Sequence, residues 1–251
     1  MFDRLQALQD SVQHLKAVAS EIDLADYTSS AYPSEWTVAD TFSHLGSGAV
    51  IGKRGFEDSV AHRDRDAEFN QSVWDEWNAK SPSDQVSDSL VNDAVYLSCL
   101  EEATDEQRQE FEMKLGPFAF DFEGLVGLRL GEHVLHTWDV EVPFHPEATL
   151  SNNAANAILD NIQFVATRAA RPTGEARNVT IRTTDPVRDF TLVIGVDSVK
   201  LIEEPHEGDV DLGLPAEALV RLIYGRLDEE HTPHSVRGEV VSFLRSVYPG
   251  F

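Results

Sequence analysis

In the stretch "LVGLRLGEHVLHTWDVE", residues 125–141, four polar residues recur among apolar ones: Arg129, Glu132, His136 and Asp139, spaced 3, 4 and 3 apart. On an α-helix that spacing lines them up in one stripe. Glu132 and His136, four residues apart, present a carboxylate oxygen and an imidazole nitrogen on one face, a donor pair that suits a divalent ion such as Zn²⁺. The same spacing also serves a plain hydrogen-bonded pair. A third ligand must come from a second helix. His44, in "EWTVADTFSHLGSG", residues 35–48, is the natural candidate, although a single helical histidine is also an ordinary surface group. Three protein ligands leave an open coordination position, the pattern of a catalytic centre. Gly46 and Gly48 follow His44, and each costs a helix interior about 1 kcal/mol relative to alanine. They are expected to thin the helix surface and leave room for an ion and a bound molecule.

The elements that must carry these residues are helical. Residues 125–141 are apolar nearly all round, so this helix, over about 121–141, is expected to be buried together with its polar stripe. Arg129 and Asp139 could also serve as ion-pair partners of neighbouring helices, and His133, about 100° round from Glu132, is read as a bystander. Thr37 and Asp40 form a variant capping box that starts a helix running to about His62. Residues 2–22 and the stretch that begins "SPSDQVSDSL" also show helical periodicity, and "NQSVWDEWNAK" reads as a short helix. Four long helices without a strand signal predict an antiparallel four-helix bundle over about 1–145. Pro143 and Pro146 end it.

Beyond "VPFHPEATL" the pattern changes. "SNNAANAILDNIQFVATRAAR" is helical, "RNVTIRTT" and "DFTLVIGVDSVKLI" alternate like strands, "DVDLGLP" is a short strand, and "PAEALVRLIYGR" and "RGEVVSFLRSV" are helices. This predicts a small α+β domain over about 150–251, and an α+β class for the whole chain.

Composition narrows the function. The 251 residues carry 20 basic and 44 acidic groups, a net charge of −24. That argues against nucleic acid or an anionic membrane as a partner. There is no apolar run of membrane-spanning length and no signal-peptide core in "MFDRLQALQDSVQHLK", so the protein is read as cytoplasmic. The single cysteine, Cys99, rules out an intrachain disulfide and a multi-cysteine zinc site.

At these residues a family resemblance emerges. "EWTVADTFSHLG" resembles the W-x-x-x-D-x-x-x-H-L signature of the mycothiol-dependent maleylpyruvate isomerase family, and "RLGEHVLHTWDVE" resembles its R-x-x-E-x-x-x-H-x-x-D segment. "LVRLIYGRLD" is similar to the G-R segment of the family's small C-terminal domain. The resemblance implies a DinB-like bundle and a divalent metal, typically zinc, held at the positions of His44, Glu132 and His136. It implies mycothiol as thiol cofactor, and catalytic roles for Asp139 and for Arg226, the latter holding a substrate carboxylate. Arg226 could equally be a surface cation at a helix C-terminus. The function expected is a metal- and thiol-dependent isomerase or S-transferase acting on a small, possibly carboxylated molecule. A non-catalytic metal- or ligand-binding protein and a thiol-independent metal hydrolase are the alternatives. The sequence leaves the oligomeric state open.

Overall fold

The computed structural model describes residues 3–64, 66–116 and 118–250. Two compact units make up the chain, one spanning Asp3–Ala148 and the other running from Thr149 onward.

The first unit is an antiparallel four-helix bundle. Its long helices are α1 (Arg4–Glu21), α2 (Val38–Val60), α4 (Pro82–Glu101) and α6 (Phe122–Glu141). Their starts are set by side chains that accept orphan backbone N–H groups. Asp3 caps α1, Ser81 caps α4 ahead of Pro82, and Asp121 caps α6. Thr37 and Asp40 complete the full capping box at α2. One end of the core joins Leu15 and Val18 of α1 and its C-cap Ile22 to Phe42 and Leu45 of α2, Val86 of α4 and Val140 of α6. A short 3-10 helix, Leu24–Thr28, links α1 to the segment before α2. Two short helices, α3 (Phe69–Asn78) and α5 (Asp105–Glu110), flank α4.

The sequence predicts a bundle region without strands, and the structure corrects this with two short ones. Strands β1 (Met113–Leu115) and β2 (Phe118–Phe120) pair antiparallel ahead of α6. Each has only three residues, too few for alternation to register as a signal. Among the described residues no helix is long and apolar enough to cross a membrane.

The second unit is α+β. Its sheet has the order β5-β4-β3-β6, built from β3 (Arg177–Thr184), β4 (Asp189–Ile194), β5 (Val199–Glu203) and β6 (Leu212–Pro215). Strands β3, β4 and β5 form an antiparallel meander, and β6 joins β3 in parallel. Alternation places Val179 and Ile181 of β3 with Phe190 and Leu192 of β4 in the core. The helical stretch after Ser151 is two helices, α7 (Asn152–Leu159) and α8 (Ile162–Ala169), broken at Asp160–Asn161. Helices α9 (Ala216–Ile223) and α10 (Glu239–Val247) follow the sheet.

Candidate metal centre

Helix α6 delivers two of the stripe residues to one point and α2 delivers the third. His44 Nε2 lies 3.3 Å from Glu132 Oε2, and His136 Nε2 lies 3.6 Å from the same oxygen. One donor atom from each of the three residues falls within 4.8 Å of the others. Ligands at about 2.0–2.2 Å in tetrahedral array stand roughly 3.3–3.6 Å apart, and the two edges that meet at the Glu132 oxygen match that spacing.

Asp139 sets the chemistry of His136. Its carboxylate lies 2.8 Å from Nδ1 of His136. An ionised carboxylate only accepts, so Nδ1 carries a hydrogen toward Asp139 and Nε2 is the nitrogen that faces Glu132. Burial presses the His136 pKa down, but its bonds to Asp139 and Glu132 outweigh this and raise it. Around Glu132, desolvation acts upward, and the two histidines overcome it and hold the carboxyl far below the usual carboxylate range.

The site is open on one side. The side chain of Glu132 is 51% exposed and that of His44 41%, whereas that of His136 is 11% exposed. The stripe is therefore buried at Arg129, His136 and Asp139 but not at Glu132, which projects to solvent.

Arg129 turns away from the donors and into the bundle. It pairs with the buried carboxylate of Asp93 on α4 and donates to the Leu45 carbonyl on α2 at 3.1 Å. His133 stands apart from the candidate ligands, as its place on the helix suggests, but it has a structural role. Fully buried, it places Nδ1 2.8 Å from Ser11 Oγ of α1 and Nε2 3.5 Å from Asp93. Burial outweighs its acidic neighbour and holds its pKa below the usual value. These residues tie α6 to α1, α2 and α4, and so fix the height at which Glu132 and His136 meet His44.

The glycines after His44 serve helix packing and not an ion. A Cβ on Gly46 would overlap the Trp77 indole and come within 2.9 Å of Ser89 Cα, and one on Gly48 would lie 3.2 Å from Arg129 Nη1. Gly46 thus lets α3 and α4 approach α2 closely, and Gly48 leaves room for Arg129.

Trp36 opens the W-x-x-x-D-x-x-x-H-L stretch, yet the spacing of the ligand candidates gives it no role in the site. Its indole lies against both histidines, with ring centroids 5.1 Å from His44 and 5.7 Å from His136. Its position eight residues before His44 carries no helical signal, because it precedes the cap of α2.

Two further residues bear on the chemistry. Cys99, on α4, is half-buried, and burial with nearby Glu57 pushes its thiol pKa up. That disfavours the thiolate. Arg226 follows α9 and the left-handed Gly225, in the second unit. It is not a surface cation: it is 7% exposed, and its Nη1 donates to the Tyr224 carbonyl at 2.6 Å. Arg221, buried against Glu217, accepts the Arg226 N–H on its own carbonyl at 2.6 Å, which fixes the backbone turn.

The comparisons with known proteins fall on the same elements. The family model for the mycothiol maleylpyruvate isomerase N-terminal domain matches residues 8–141. Two solved structures share the fold, those of the mycothiol-dependent maleylpyruvate isomerase and of a histidine-to-alanine mutant of it. Each matches with a TM-score of 0.66 and 12% identity, over 94% of this chain and 93% of its own. Curated proteins offer no sequence match. With more than half of its length matched, bundle and candidate ligands included, the chain belongs to the mycothiol maleylpyruvate isomerase N-terminal domain family.

Proposed function

We propose that this protein is a divalent-metal enzyme that uses mycothiol to isomerise a small carboxylated electrophile or to transfer the thiol onto it. The observation that carries the reading is the convergence of His44, Glu132 and His136 from α2 and α6 within a domain of this family. Two imidazoles and one carboxylate suit zinc, with a position left for an external ligand. A divalent ion held by His44, Glu132 and His136 would favour the thiolate form of an external thiol at neutral pH.

The chain's own residues prepare that chemistry. Asp139 keeps the proton on Nδ1 of His136 and leaves Nε2 free to ligate. Glu132 stays ionised beside the two histidines. Burial and the nearby Glu57 push the Cys99 thiol pKa up and disfavour its thiolate, in keeping with a thiol supplied from outside. Arg226, matched to the family's G-R segment, is assigned to the substrate carboxylate and to charge that develops on it during reaction.

The test is turnover of maleylpyruvate, and of an electrophile with a displaceable leaving group, by zinc-loaded protein with and without mycothiol. Turnover that requires mycothiol supports the reading. Hydrolysis without any thiol, or thiol binding with no turnover, overturns it in favour of a hydrolase or a binding protein respectively.

A further inference from the structure

The rings of the two candidate histidine ligands share a third aromatic neighbour. The indole of Trp36 stacks on His136 with planes 22° apart and meets His44 at 47°. The two imidazoles meet edge-on, with centroids 4.6 Å apart. Trp36 therefore touches candidate ligands that come from two different helices.

The backbone shows why Trp36 stays there. It directly precedes Thr37, the capping-box residue that fixes the entry of the chain into α2. The Trp36 N–H donates to the Pro33 carbonyl and its carbonyl accepts from Ala31 N–H, both at 2.9 Å, while Val38 N–H closes back on Ser29 at 2.9 Å. A second anchor lies on α6. Tyr32 N–H donates to the Asp139 carbonyl at 2.9 Å, and the Tyr32 ring packs edge-on against Trp138 at 4.8 Å. The usual intrahelical donor to that carbonyl, four residues on, is Pro143, which has no N–H. Pro143 thereby reserves the Asp139 carbonyl for Tyr32. Segment 29–37 is fastened to α2 at one end and to the helix of Glu132, His136 and Asp139 at the other.

We propose that Trp36 is a positioning residue of the metal centre: its indole holds the His44 and His136 rings in the orientations that aim both Nε2 atoms at one ion. The proposal rests on the reading of His44, Glu132 and His136 as ligands. An imidazole free to rotate about its Cβ–Cγ bond aims its lone pair poorly. Asp139 restrains His136 by its edge, and Trp36 restrains it by its face while lying tilted against the His44 ring.

Cobalt(II), titrated into the chelator-stripped full chain and followed by its visible absorption, reports affinity and ligand geometry without reference to turnover. The variants are Trp36→Phe, which keeps a flat ring, and Trp36→Leu, which keeps apolar volume without one. Circular dichroism identifies any variant that fails to fold. Trp36→Leu is expected to bind cobalt about 10- to 100-fold more weakly than the native protein, with an altered spectrum. Trp36→Phe is expected to recover most of the affinity and the native bands. Equal behaviour of the two variants, whether both native-like or both impaired, overturns the proposal. A native protein that takes up cobalt no better than His136→Ala overturns instead the metal reading beneath it.

Discussion

The Asp139 carboxylate lies 2.8 Å from Nδ1 of His136, one turn further along α6, and is itself fully buried. That contact decides which nitrogen of His136 can ligate. Asp139→Asn keeps the shape but removes the charge that supports the N–H and raises the basicity of the ring. Zinc affinity should fall about 10- to 100-fold, the usual cost of losing such a partner, with the fold retained. Isothermal titration with zinc, set beside thermal unfolding of the metal-free protein, checks it. An unchanged affinity would detach Asp139 from the centre.

The glycines of α2 make opposite predictions within one helix. Ala is the better helix former by about 1 kcal/mol at either position. At Gly55 a Cβ meets nothing within 4 Å, so Gly55→Ala should stabilise. At Gly46 a Cβ overlaps Trp77, which is 2% exposed and has nowhere to go, and presses on the backbone of Ser89. Gly46→Ala should destabilise, by about 1–3 kcal/mol in spite of its propensity gain. Urea unfolding of both variants separates the two signs.

This contrast marks how far the sequence can be read. The stripe of α6 is legible because helical period alone lines up Arg129, Glu132, His136 and Asp139, and Thr37 with Asp40 announces the start of α2. What surrounds a glycine or a histidine across a helix interface has no period. Gly46 meets Trp77 from α3, and His133 meets Ser11 and Asp93 from two other helices. Asp93 looks like any acidic residue in "SDSLVNDAV" until Arg129 turns into it. Trp36 reaches the histidines only through a closed segment whose bonds run to Ser29, Pro33 and Asp139.

A pH dependence follows from His14, whose Nε2 lies 2.8 Å from Glu141 between α1 and α6. The bond to Glu141 raises the His14 pKa, against the opposing effect of burial. A raised pKa in the folded state means that the contribution is complete below the unfolded value, near 6.5, and is lost as pH rises through the folded value. The side chain is 52% exposed, so solvent screening limits the effect to well under about 1 kcal/mol. Thermal unfolding should find His14→Gln less stable than the native protein at about pH 5.5 and equal to it at about pH 8.5. A difference that grows with pH would reverse the assignment.

Arg226 is predicted to matter to turnover and not to metal. It is not among the ligands, so zinc content in Arg226→Ala should match the native protein. On the proposed assignment of Arg226 to the substrate carboxylate, its loss should lower thiol-dependent turnover of a carboxylated substrate about 10²- to 10³-fold. Because Arg226 also donates to the Tyr224 carbonyl, Arg226→Lys serves as the control. It keeps the charge and loses the planar fork, and should recover part of the rate. Full activity in Arg226→Ala would remove this residue from the mechanism.

The last prediction concerns Pro143, which is not one of the candidate ligands. Its missing N–H leaves the Asp139 carbonyl to Tyr32, and that bond fastens the Trp36 segment to α6. Pro143→Ala supplies an N–H four residues beyond Asp139, in position to take the intrahelical bond as α6 extends by part of a turn. Tyr32 then competes for a carbonyl it now has to share, and its amide should exchange with solvent faster than in the native protein. The amides of α2, which hang on the capping box of Thr37 and Asp40, should keep their protection. Cobalt affinity should fall in the same direction as in Trp36→Leu but by less, because the indole keeps its place against His44 through the α2 anchor. Hydrogen–deuterium exchange resolved to segment 29–37, measured with the cobalt titration, tests both halves. Unchanged exchange at Tyr32 would mean that the proline does not govern this anchor.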